Sequence, residues 1–188
     1  MILRLLITLL LLPSLACAGQ GMGPGPGFKT YSAGGGSPTV AVDNITARTG
    51  ASNGQISNAM FRGNSFKHTD GSGSYEFYSF SVMINSIGGA NTIECRLSAS
   101  TDFSSPLATG TLAVSTTGEK EVIASSNPTL TDNTTYYAAC GLSTATPTVY
   151  LKYDATSSYA DGIRLYGTAW SSVTATADGD MLFKVTKQ

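Results

Sequence analysis

The sequence predicts an all-β fold, a single antiparallel β-sandwich, and three observations carry that prediction. Short runs of alternating apolar and polar residues recur from Thr39 to the C-terminus. Clusters of Gly, Pro, Asn, Asp and Ser separate them, as turns separate strands. Beyond the N-terminal segment, no stretch carries the i, i+3, i+4 apolar stripe of an amphipathic helix.

The strands follow in order. "TVAVDNI" opens the domain at Thr39 with clean alternation. "SNGQISNAMFRGNSF" fits a strand, a loop or a short helical turn. "SGSYEFYSFSVMINS" comes next and breaks parity. Tyr78, Phe80, Val82 and Ile84 share one face, whereas Tyr75 and Phe77 fall on the other. Either a bulge switches the register or the two rings point outward. In "IECRL", Ile93, Cys95 and Leu97 share a face, opposite Glu94 and Arg96, so Cys95 points inward. "GTLAVSTTG" and "KEVIASS" follow. In "YYAACGL", Tyr136, Ala138, Cys140 and Leu142 share a face. In "TVYLKYD", Val149, Leu151 and Tyr153 oppose Tyr150, Lys152 and Asp154. "GIRLYGTA" and "DMLFKVT" complete the set, the latter with Met181, Phe183 and Val185 inward.

The N-terminus reads differently. Arg4 precedes an apolar run, Leu5 to Leu12, which Pro13 ends before the small residues of "ACA". This is the pattern of a secretory signal peptide. The run is too short for a bilayer span, which needs about 20 residues. Two processing routes stay open: cleavage after Ala18, or lipidation of Cys17, since "SLAC" resembles a bacterial lipobox with Ser14 where Leu is usual. The expected organisation is a signal peptide at 1–18, a flexible Gly/Pro-rich arm at 19–38 and a β-sandwich domain at 39–188. With Cys17 removed or modified, Cys95 and Cys140 are an even pair in an oxidising compartment. If their strands are neighbours the sulfurs can meet; two separate buried thiols are the other reading. A bridge would add on the order of 3–4 kcal/mol by constraining the unfolded chain.

Charge narrows the function. Only 12% of residues are charged, with 11 basic and 12 acidic side chains and a formal net charge of −1. Soluble domains usually carry about 25%. A surface of Ser, Thr, Asn and Gly suits an extracellular β-protein. No basic stripe exists to neutralise phosphates, so no nucleic-acid partner is expected. Membrane contact is expected only through a lipid anchor at Cys17.

Several stretches resemble a secreted bacterial module, a jelly-roll-like β-sandwich of the choice-of-anchor or carbohydrate-binding-like type. They are "FYSFSVMINSIGGANTIECRLSAS"; "SSPLATGTLAVS" with Pro106, Ala108, Gly110 and Leu112; "NPTLTDNTTYYAACGL"; and "GTAWSSVTATADGDMLFKV" with its Trp turn. They span roughly Phe61 to Val185, and Asp132-Asn133 replaces the module's usual Ala-Gly turn. The resemblance implies the fold and an extracellular, generally non-catalytic role. It implies no specific ligand.

Candidate sites are few. His68, the single histidine, lies near Asp70, Ser72 and Ser74, but no nucleophile elbow accompanies them. Zinc ligand spacing is absent. No cofactor is expected; calcium is the metal that the turn residues Asp154, Asp161, Asp178 and Asp180 would suit, though no DxDxDG loop is present and the same turns are ordinary β-turns. Glu76, Glu94, Glu119 and Glu121 form no glycosidase motif. Asn44 and Asn133 match the N-glycosylation pattern, which we read as chance beside a bacterial-type leader. Tyr75, Phe77, Tyr150, Tyr166 and Trp170 are candidates for stacking on sugars, with sheet and core packing as the competing role. The expected function is that of a non-catalytic, secreted or surface-displayed sandwich with a structural or protein-interaction role. A glycan-binding module is the alternative, and an enzyme is not expected. The expected location is secreted, periplasmic or at the cell surface, with an extracellular polysaccharide or a surface protein as partner.

Overall fold

A computed structural model of the chain describes residues 36–46, 52–144, 146–156 and 159–188. The expected signal peptide, Cys17 and all but the last residues of the expected arm lie outside them. The strands are β1 (Thr39–Asp43), β2 (Ser52–Ile56), β3 (Phe61–Lys67), β4 (Ser74–Ile87), β5 (Asn91–Ser98), β6 (Ala108–Val114), β7 (Gly118–Ile123), β8 (Thr129–Thr131), β9 (Thr135–Leu142), β10 (Val149–Asp154), β11 (Arg164–Gly167), β12 (Val173–Thr176), β13 (Asp180–Met181) and β14 (Phe183–Lys187). They form two antiparallel sheets of eight and six strands, packed as a sandwich. The ambiguous "SNGQISNAMFRGNSF" is two strands, β2 and β3, and each joins a different sheet.

The eight-stranded sheet is organised on β4, which is 14 residues long. Along one edge β14 pairs with its first half and β10 with its second. Along the other edge run β8 and then β7. β1 flanks β14, and β2 flanks β10. The six-stranded sheet runs β12-β11-β3-β9-β5-β6.

A bulge resolves the parity break in β4. Thr186 pairs with Ser79 but Lys187 pairs with Phe77, so Tyr78 is the extra residue. Two residues opposing one is the geometry that rotates a strand's facing. Tyr75 and Phe77 therefore point inward together with Phe80, Val82 and Ile84, at 6% and 3% exposure. The outward orientation, which would have offered their rings to a ligand, is not adopted.

The core lies between the sheets. Phe183 is fully buried at its centre; its ring centroid is 5.7 Å from that of Phe80, 6.4 Å from Phe66 and 5.5 Å from Tyr159. A smaller apolar cluster covers the outer face of the six-stranded sheet: Phe103, Ala139, Leu165 and Val173, with Tyr137 and Trp170 against them. Trp170 also packs on Phe61, with centroids 3.9 Å apart. Gly141 makes room for this arrangement, because a Cβ there would stand 2.4 Å from the Phe61 ring.

Cys95 and Cys140 form a disulfide. They lie directly opposite each other on β5 and β9, with Cα atoms 4.1 Å apart, and both side chains face the core. The bridge closes a sequence separation of 45 residues.

Two stability measurements follow. Replacing both cysteines by Ser is expected to lower unfolding stability in denaturant titrations by roughly 3–4 kcal/mol, the loop-entropy value for such a span. Phe183→Ala is expected to cost about 3–5 kcal/mol, because it empties the middle of a closely packed aromatic group.

Candidate functional site

The five aromatics proposed for sugar stacking do not share a surface. Tyr75 and Phe77 are in the core. Trp170 is half-buried on the outer face of the six-stranded sheet, where the Arg96 guanidinium covers its ring at 4.3 Å and Arg96 Nη1 donates to the Phe103 carbonyl at 2.9 Å. Tyr150 sits half-buried on the face of β10 opposite the buried Val149 and Leu151. Tyr166, at 42% exposure, is the most open of the five and lies beside a cationic cleft.

That cleft forms where β2 and β10 of one sheet face β3 and β11 of the other. Arg62, Arg164, Tyr153, Asn53 and Gly54 line it, and its volume is about 70 Å³. Pairing of β3 with β11 sets Arg62 opposite Tyr166 and Asn64 opposite Arg164. The two arginines are thus diagonal neighbours on one face. Arg164 stacks on Tyr153, its guanidinium carbon 4.3 Å from the ring centroid, and Arg62 lies 5.6 Å from the centroid of Tyr166. Arg164 Nη2 donates to Asp178 Oδ2 at 2.7 Å, but its Nε is buried without an acceptor. No carboxylate pairs with Arg62 among the described residues. Burial, and then the neighbouring Arg164 charge, push the Arg62 guanidinium below its ordinary pKa. Gly54 leaves the space Arg62 fills, since a Cβ at that position would stand 3.3 Å from Arg62 Nε.

The second cluster gathers around His68. His68 Nε2 lies 2.9 Å from Asp70 Oδ2 and 2.9 Å from Lys187 Nζ, and Lys187 also pairs with Asp70. His68, Asp70 and Asp132 are the one trio of metal-ligating side chains, among the described residues, with ligand atoms within 4.8 Å of one another. The Lys187 ammonium already supplies the cation there. Asp132 Oδ2 accepts from the Gly71 amide at 2.6 Å, and Asp70 Oδ1 accepts from the Ser72 amide at 2.8 Å. Neither Ser72 nor Ser74 is hydrogen-bonded to His68, so the residues are not arranged as nucleophile and base. The Lys187 and Ser72 hydrogen bonds hold the Asp70 carboxyl well below its usual pKa.

The four aspartates considered for calcium have different partners, and Asp154 and Asp180 lie opposite each other on β10 and β13. Asp154 accepts from the Thr156 amide at 2.9 Å, Asp161 pairs with Lys67 at 3.1 Å, and Asp178 pairs with Arg164. Asp180 is fully buried and accepts from the Tyr159 amide at 2.8 Å. The glutamates are similarly engaged: Glu94 with Arg96, Glu119 with Lys184, and Glu121 with the Ser79 hydroxyl. Asn44, one of the two glycosylation matches, is buried and donates its amide to the Met181 carbonyl at 2.8 Å.

Sequence reasoning singled out Tyr166 but missed Arg62, Arg164 and Tyr153. Arg62 stood in the segment whose structure was ambiguous, and nothing in the chain order brings β3 beside β11.

The Asp70–Lys187 contact generates a pH prediction. A carboxylate whose folded pKa is depressed contributes stability that is fully present above its unfolded value, about 3.9, and is lost as pH falls through the folded value. Denaturant midpoints of the wild type are therefore expected to fall more steeply below about pH 4 than those of Asp70→Asn, with parallel curves at higher pH. Parallel curves throughout would show that the contact does not contribute.

Comparison with protein-family models, with curated proteins and with solved structures finds no match to this chain.

Proposed function

We propose that this chain is an exported, jelly-roll-like β-sandwich with no chemistry of its own, secreted or displayed at a cell surface, and that it works as a binding module. The observation that carries this reading is the Arg62–Arg164 cleft. Elsewhere the charged side chains whose contacts are described sit beside a counter-ion or a hydrogen-bond partner, as with Arg96, Lys184 and Lys187. Arg62 is half-buried and, among the described residues, forms no ion pair with a carboxylate. Partly buried charge is unfavourable until it is paired. A site that holds such charge open to solvent is prepared for something that arrives from solvent.

The disulfide supports export, because such bonds persist in oxidising compartments. An extracellular polysaccharide is the partner class we favour. Tyr166 supplies a flat, exposed ring beside Arg62, their guanidinium carbon and ring centroid 5.6 Å apart, and rings of this kind bury area with few rotamers to freeze.

The test is a binding panel of polysaccharides and cell-surface proteins, with the exported protein and its variants checked for retained fold by circular dichroism. Tyr166→Ala is expected to weaken saturable binding about ten-fold, the effect of losing roughly 1.4 kcal/mol. Tyr150→Ala, on a different face, is expected to leave it unchanged. Wild-type protein that binds nothing, or binding indifferent to Tyr166, would reject this surface as the site.

A further inference from the structure

We propose that the Arg62–Arg164 cleft binds the carboxylate of a uronic acid unit, so that the ligand is an acidic rather than a neutral polysaccharide. This inference rests on the binding reading above and names its ligand class.

The cleft volume sets the scale. An enclosed cavity of about 150 Å³ holds one benzene ring, and the cleft, at about 70 Å³, is roughly half that size. A carboxylate group fits such a space; a whole sugar ring does not. The ring must then lie outside, beside Arg62, where Tyr166 is exposed. A uronic acid has this shape, with a carboxylate directly attached to a ring that carries an apolar face. The carboxylates of a protein partner sit on flexible stems without a flat face beside them, so they use the arginines but not the tyrosine.

The donors set the charge. Guanidinium groups present planar forks that match carboxylate oxygens in bidentate fashion. Among the described residues Arg62 has no such partner, and Arg164 has committed Nη2 to Asp178, so Arg62 supplies the fork. Two cations on diagonal positions also repel each other, and an anion between them removes that repulsion. Asp178 is 64% exposed at its side chain, pairs with Arg164 and accepts from the Thr176 hydroxyl, and it acts on Arg62 only through longer-range attraction. It leaves Arg62 for the ligand. Tyr153 holds Arg164 in place by stacking, so the donor set is ordered before the ligand arrives.

The experiment measures binding of the exported protein to sodium polygalacturonate, to the same polymer with its carboxylates methyl-esterified, and to neutral dextran, at two salt concentrations. Saturable binding to polygalacturonate alone, weakened by added salt, is the expected result. Arg62→Gln is expected to weaken it about 10- to 100-fold, the range for losing a charged hydrogen-bond pair. Arg62→Lys keeps the charge without the fork and is expected to restore only part of the binding. Both variants are checked for wild-type thermal unfolding, and Lys serves as the milder change if Gln disturbs the fold. Equal binding to the esterified polymer or dextran would overturn the acidic ligand while leaving the binding module standing. No binding to any polymer would overturn both. Polygalacturonate binding that is untouched by either Arg62 variant, or is competed equally well by a poly-glutamate peptide, would overturn the assignment to this cleft or to a sugar.

Discussion

β4 is the constraint on which the rest of the structure depends. It pairs with β14, β10, β7 and β8, so half of the eight-stranded sheet takes its register from one continuous strand. A strand of 14 residues in strict alternation would place either Tyr75 and Phe77 or Phe80, Val82 and Ile84 outside the core. The extra residue at Tyr78 removes that conflict, and it allows the aromatic ends of β4 to meet Leu130 and Tyr136 at one end of the sandwich and Phe183 in its middle.

Other features hold the second sheet to this frame. The Cys95–Cys140 bridge joins two neighbouring strands whose inward faces were already set by alternation. It contributes through the unfolded chain, which it shortens, more than through new packing. On the opposite face of the same sheet, Phe61, Phe103 and Trp170 form a second apolar layer capped by Arg96. Both faces of this sheet are therefore partly covered, and the exposed Tyr166 stands apart from that layer.

The charges show where the molecule is complete and where it is open. With few ions in the chain, most act as local clasps between strands: Lys187 with Asp70 across β14 and the β3–β4 loop, Lys184 with Glu119 across β14 and β7. The cleft between β2, β3, β10 and β11 departs from this pattern. Its two guanidinium groups are held by aromatic rings and a single aspartate, which fixes their positions without consuming all of their donors. That combination of order and unmet hydrogen bonding is what motivates the binding role proposed for the cleft.

The sequence by itself determined the all-β class, most of the strands and the inward faces of β5, β9, β10 and β14. Period-two alternation is a local property, and each of these strands turns one set of alternate residues to the core. It also placed Cys95 and Cys140 on core-facing positions, although only the register of β5 against β9 made them partners. Tertiary structure decided the fate of Tyr75 and Phe77, since a bulge is defined by what the neighbouring strand does. It placed Trp170 against Phe61 and Arg96. It set Asp154 opposite Asp180 across β10 and β13 and turned Asp161 and Asp178 to Lys67 and Arg164. It also built the cleft, whose arginines come from β3 and β11. No local pattern links those strands, and Gly54, on the facing sheet, leaves room for the Arg62 side chain.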